Sequence, residues 1–139
     1  MATITRQTTN FSDLDLNFTL LDGSNDVGLK TDVEAVKQSI RSLILTRHYE
    51  RPFQSYIGSA LGDLLFELNT PLTRRMIEKT IRECIENFEP RCKLVNITVD
   101  DQGDRNEYRV RIYFYVVNHN QQEVLETFFL GGGFGNWQV

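Results

Sequence analysis

One stretch limits the fold of this chain more than any other: residues 69–91, NTPLTRRMIEKTIRECIENFEPR. It holds a start signal, an amphipathic helix and a stop signal. Thr70 is suited to accept the first free backbone N–H groups, and Pro71 fits the first helical turn, where no N–H is missed. Leu72, Met76, Ile77, Ile81, Cys84, Ile85 and Phe88 recur at steps of three and four, which predicts one apolar stripe. Arg74, Arg75, Glu78, Lys79, Arg82, Glu83 and Glu86 fill the other face, with Glu78 and Arg82 as a favourable i,i+4 pair. Pro90 disfavours helical geometry at Glu89 and ends the element. Glu89-Pro90-Arg91 is therefore a stiff corner with two opposite charges. Glu89 is expected to pair with a nearby arginine or to cap a backbone group, and Arg91 is expected to be an exposed charge of little weight in stability.

A helix with such a stripe needs a second layer to pack on, and the sequence after the corner supplies it. The period changes from 3.6 to 2. Val95, Ile97 and Val99 alternate with polar residues, and Tyr108, Val110, Ile112, Phe114 and Val116 make the clearest strand. Val124 to Leu130 reads as a third strand. Two short polar loops between the three imply an antiparallel meander with the strand of residues 107–117 in the middle. Ile81 and Ile85 should pack on it near Ile112 and Phe114. Before the central helix, Thr31 to Glu34 reads as a capping box opening a helix over 32–46, which carries Val33, Val36, Ile40, Leu43 and Ile44. Arg51-Pro52 breaks that run. Gly58-Ser59 opens a shorter helix with a Leu61, Leu64, Leu65, Leu68 stripe. The predicted class is α+β, with helices in the first two-thirds packed on a C-terminal three-stranded antiparallel meander. Residues 1–28 form an extended N-terminal arm, 29–130 a single α+β domain, and 131–139 a Gly-rich tail with two aromatic hooks.

Charge and composition exclude several functions. The net charge of −4 over 139 residues argues against a general nucleic-acid or membrane-surface binder. No run approaches the roughly 18 apolar residues of a membrane span, and MATITRQTTN has no apolar core of the kind a signal peptide needs. Cys84 and Cys92 lack a CxxC spacing and read as buried free thiols. His48 and His119 sit apart in polar loops with no ligand cluster around them, so neither a metal nor a cofactor is expected. Gly131 to Gly133 follows a strand but opens no helix, and so is no phosphate cradle.

Two candidate sites remain. Asp63, Glu67 and Glu89 flank the central helix, and a glycosidase needs one raised and one ionised carboxyl. Such pairs occur in nearly every chain of this length. The other candidate is a sheet edge. Val124 to Leu130 has no Pro or Lys to block pairing, and Phe128-Phe129-Leu130 would aggregate if left bare.

The order and spacing of Arg51-Pro52-Phe53, Gly58, Leu64, Leu65-Phe66-Glu67, Thr70-Pro71-Leu72-Thr73 and Asn87-Phe88-Glu89-Pro90-Arg91 resemble the small baseplate wedge proteins of contractile-tailed phages. That family is sometimes labelled lysozyme-like, and it includes a type VI secretion baseplate component. The resemblance spans about Leu29 to Val117; the first 28 residues and the Gly-rich tail do not follow it. It implies a structural, non-enzymatic virion protein, assembled in the host cytoplasm into a six-fold baseplate. Its implied partners are other baseplate wedge proteins and tail sheath subunits, whose polymerisation it would initiate, with no nucleic acid and no membrane. It implies that Glu89, Pro90 and Arg91 meet the wedge core. The edge strand, with Val124, Glu126, Thr127, Phe128 and Phe129, would receive sheath arms. The rival reading is a peptidoglycan hydrolase of the tail.

Overall fold

The computed structural model describes residues 11–19, 23, 26–101, 107–117 and 121–130. At Glu107, Val124 and residues 126–130 the description is of the backbone. The elements run β1 (Ser12–Leu14), β2 (Leu29–Thr31), α1 (Asp32–Leu45), α2 (Leu61–Leu64), α3 (Pro71–Phe88), β3 (Cys92–Asp101), β4 (Glu107–Val116) and β5 (Gln122–Leu130). Helices come first. The meander β3-β4-β5 is antiparallel with β4 central, so the α+β class and the strand order agree with the sequence.

The central helix α3 starts as its sequence dictates. Thr70 Oγ1 accepts the Thr73 N–H at 3.1 Å, and Pro71 lies in the first turn. Its buried face is Thr73, Ile77, Ile81, Cys84 and Ile85. Ile81 and Ile85 share one core cluster with Ile112 and Phe114 and with Val36, Ile40 and Ile44 of α1. Fully burying each such aliphatic side chain contributes roughly 1.5–3 kcal/mol. Leu72 and Met76 leave the expected stripe and are 67% and 40% exposed. At that end Thr73 turns inward instead, and its hydroxyl donates to the Leu68 carbonyl at 2.7 Å.

Two helix starts depart from expectation. Thr31 precedes α1 but its side chain caps nothing, so no capping box forms. Thr31 is instead paired with Ser12 in a two-stranded β1–β2 sheet, and Asp32 takes φ +48°. The Asp32 carboxylate accepts the Phe11 N–H at 3.2 Å. This small sheet fastens part of the expected arm to the start of α1. The shorter helix α2 ends at Leu64, where turns take over as Phe66 N–H bonds Asp63 O and Glu67 N–H bonds Leu64 O. Leu68 is therefore exposed. Gly58, just before α2, has φ +140°, and a Cβ there would lie 2.7 Å from the Thr46 carbonyl oxygen. Only glycine fits that approach.

β4 alternates as predicted, with Tyr108, Val110, Ile112, Phe114 and Val116 all buried. β3 does not. Its register with β4 slips between Leu94 and Asn96. This bulge turns Val95 outward to 47% exposure, while Leu94, Ile97 and Val99 meet the core. The inward set is thus Leu94-Ile97-Val99 rather than Val95-Ile97-Val99, because the extra residue resets the period of two.

Candidate functional site

The corner after α3 is a closed network. The Glu89 N–H still bonds Ile85 O at 2.9 Å, so the helix runs on until Pro90 stops it. Glu89 is buried, at 3% exposure. Its Oε1 accepts Arg91 Nε at 2.7 Å and its Oε2 accepts Arg91 Nη2 at 3.0 Å, a bidentate pair across one proline. The Ser39 hydroxyl of α1 also donates to this carboxylate. Arg91 Nη1 reaches Asp13 Oδ2 of β1 at 3.1 Å, and the guanidinium carbon lies 5.6 Å from the centre of the Phe11 ring. One arginine thus clasps the helix end to the N-terminal strand.

The expectation that Arg91 is an exposed charge is corrected by this geometry: its side chain is 24% exposed. An arginine offers five donors. Glu89 takes those on Nε and Nη2 and Asp13 takes one on Nη1, so the planar fork is not an empty hand for a partner. Pro90, by contrast, is exposed. The Arg91 carbonyl accepts the Val117 N–H at 2.9 Å and so fixes the corner to the end of β4. A cleft of about 350 Å³ opens beside the corner, with Asp13, Arg51, Ile57 and Phe88 in its walls.

The other predicted residues lie in β5. Val124, Glu126, Thr127, Phe128 and Phe129 stand opposite Tyr113, Arg111, Val110, Arg109 and Tyr108 of β4. Among the described residues β5 pairs with β4 and with no other strand. Corner and β5 are separate sites joined by β4.

The chemistry of the carboxylates bears on the hydrolase reading. Burial raises the pKa of Glu89, but hydrogen bonds from Arg91 and Ser39 and the charge of Arg91 outweigh it. The carboxyl is held below its ordinary range. It is a fixed anion, the opposite of a general acid that must hold a proton at neutral pH. Asp63 and Glu67 are solvent-exposed side chains at the α2 turn. Cys84 and Cys92 are free; burial pushes the thiols up to about 11 and about 12, the latter aided by the Glu89 charge. Neither is a thiolate near neutral pH. Among the described residues no three His, Cys, Asp or Glu side chains gather to hold a metal, and no helix is long and apolar enough to cross a membrane. His48 is exposed, and His119 lies outside the described residues.

Sequence reasoning missed Phe11, Asp13 and Ser39 at the corner. An acidic residue in an alternating segment was the one available sign for Asp13, and nothing tied it to an arginine 78 positions away.

Comparison with known proteins follows the same lines. The phage T4 baseplate wedge protein gp25 is 33% identical over 109 residues, covering 78% of this chain and 82% of that protein. A subunit of the six-fold symmetrised baseplate of the anti-feeding prophage is 28% identical, with a TM-score of 0.69, over 80% of this chain and 89% of its own. A candidate tail lysozyme of Geobacter sulfurreducens shares the fold, with a TM-score of 0.64 and 24% identity over 70% of this chain and 88% of its own. The family profile described as baseplate wedge protein gp25 matches residues 30–121, which include the corner and all three described helices. The chain therefore belongs to the baseplate wedge protein gp25 family.

Proposed function

We propose that this baseplate wedge protein joins the wedge core to the tail sheath and starts sheath polymerisation, without catalysing a reaction. Its place is in the virion, as one of the repeated subunits of a six-fold baseplate that assembles in the host cytoplasm. The corner of Glu89, Pro90 and Arg91 meets the wedge core, with the buried Glu89 holding Arg91 in place. There Pro90 and the outer rim of the Arg91 guanidinium are the parts a partner meets, beside the cleft lined by Asp13 and Phe88. Val124, Glu126, Thr127, Phe128 and Phe129 form the edge that receives sheath segments.

The observation that carries this reading is the one-sided pairing of β5, which bonds β4 and no other described strand. A strand edge is a row of unpaired N–H and C=O groups, and it is satisfied by an added strand. The test uses two prolines. Successive residues of a strand send their N–H groups to opposite sides, so of Glu126→Pro and Thr127→Pro one breaks the ladder to β4 and the other removes a donor from the free edge alone. The second kind should keep the native melting profile and wedge binding, yet halt sheath growth on reconstituted baseplates viewed by electron microscopy. Sheath growth at wild-type frequency with both variants would place the recruiting edge elsewhere, in β3 or the N-terminal arm. Cell-wall clearance by the purified protein would instead revive the hydrolase.

A further inference from the structure

α1 meets the β5 side of the sheet at Lys37, whose Nζ lies 3.1 Å from Glu123 Oε2. Beyond that contact a cleft of about 530 Å³ runs between α1, residues 16–17 and the β5 margin at Leu125. Its α1 wall carries Glu34, Gln38, Arg41 and Leu45, positions that share one helical face. A fourth strand beside β5 would lie over this face and send alternate side chains into the cleft.

The charges in the cleft have partners, with one exception. Lys30 pairs with Asp15 at 3.8 Å, Lys37 is shared between Glu34 and Glu123, and Glu50 accepts the Arg47 N–H at 2.8 Å. Arg41 has no ion pair among the described residues, and its Nε is buried with no hydrogen-bond acceptor. A buried donor left unpaired is costly, and a guanidinium is matched best by a carboxylate. Leu16, Leu45 and Leu125 supply apolar wall on either side.

We infer that this cleft receives an extended segment of the sheath subunit whose inward-facing side chains include a carboxylate, bound by Arg41 and flanked by an apolar residue. This rests on the reading that β5 is the sheath-receiving edge, and adds the chemistry of the segment it selects. An extended peptide fits better than a free organic anion, because the cleft reaches β5 at Leu125 and its walls combine the Arg41 cation with leucine side chains.

The experiment measures binding of purified sheath subunit to the full chain by titration at two salt concentrations. Arg41→Glu and Arg41→Ala should weaken binding roughly tenfold or more at low salt, the loss of one charge-assisted pair. Arg41→Lys should recover part of it, and the alanine variant should lose part of the salt dependence. All three should melt as the wild type does, since Arg41 makes no ion pair among the described residues. Binding within about twofold of wild type for Arg41→Glu would overturn the inference. If the edge-directed proline still blocks sheath in that case, the β5 reading survives without it. A wild-type chain that binds no sheath subunit would sink both. Two other occupants would also overturn it. A second copy of this chain would appear as dimerisation lost in Arg41→Glu. Residues 131–139 would appear as sheath binding that rises on their deletion and no longer needs Arg41.

Discussion

The corner and the β5 margin are both candidate contacts, yet they are built in opposite ways. At the corner each charged group has an internal partner: Glu89 holds Arg91, and Arg91 holds Asp13. At the margin a strand pairs on one side and Arg41 lines a cleft with no counter-ion among the described residues. The difference teaches that a motif rich in charge is not for that reason a docking motif. The Glu-Pro-Arg charges tie the end of α3 to β1 and leave the proline exposed. The margin, with less obvious residues, keeps unmet bonding capacity. Loss of corner groups should therefore cost stability first, and loss of margin groups should cost association alone.

The largest expected effect tests the ground both regions stand on. Ile81 is fully buried in the shared core, and Ile81→Ala should cost about 2–5 kcal/mol in urea unfolding. A loss under about 0.5 kcal/mol would mean that this face is not core and would remove the basis of the comparison. Next comes Arg91→Ala, which strands a buried carboxylate and frees Asp13. It should cost about 1.5–3 kcal/mol, with sheath binding intact in the folded fraction. A variant as stable as the wild type would return Arg91 to the class of exposed, partner-facing charges and break the contrast.

Glu89→Gln should cost less, about 1–2 kcal/mol, because the amide keeps one acceptor. It also carries a pH signature. The folded-state pKa of Glu89 lies below its ordinary 4.5, so its stabilisation is full above that value and is lost as pH falls through the depressed one. Acid titration of stability should therefore be shallower below about pH 4.5 in the Gln variant than in the wild type. Equal slopes would show that the bidentate pair does not hold in solution.

Local rules carried the reading of α3 and β4. Thr70, Pro71 and Pro90 act within a few residues of themselves, and strict alternation placed all five inward residues of β4. Failures came where a distant segment changes the local choice. Thr31 has capping-box company in sequence, but Ser12 draws it into a strand and Phe11 takes the Asp32 carboxylate. Leu68, Leu72 and Met76 keep helical spacing yet face solvent, since spacing does not reveal where neighbouring layers stop. The corner pair of Glu89 with an arginine was legible from its two-residue separation. The clasp onto β1 was not, and neither was Arg41, whose interest comes from the lack of a counter-ion among the described residues.

The slip at Val95 sets a direction. A backbone row broken by a bulge, with an outward valine, makes an irregular template for a newcomer strand on the β3 side. The ladder from Glu107↔Leu130 to Tyr115↔Gln122 runs without a register shift, so β5 offers an even one. If sheath segments add to this sheet as proposed, the even margin is the one they extend. The bulge in β3 blunts that margin against self-association, while β5 keeps a regular one. A sheet with two equally regular margins invites copies to stitch together on both sides; here the two margins differ.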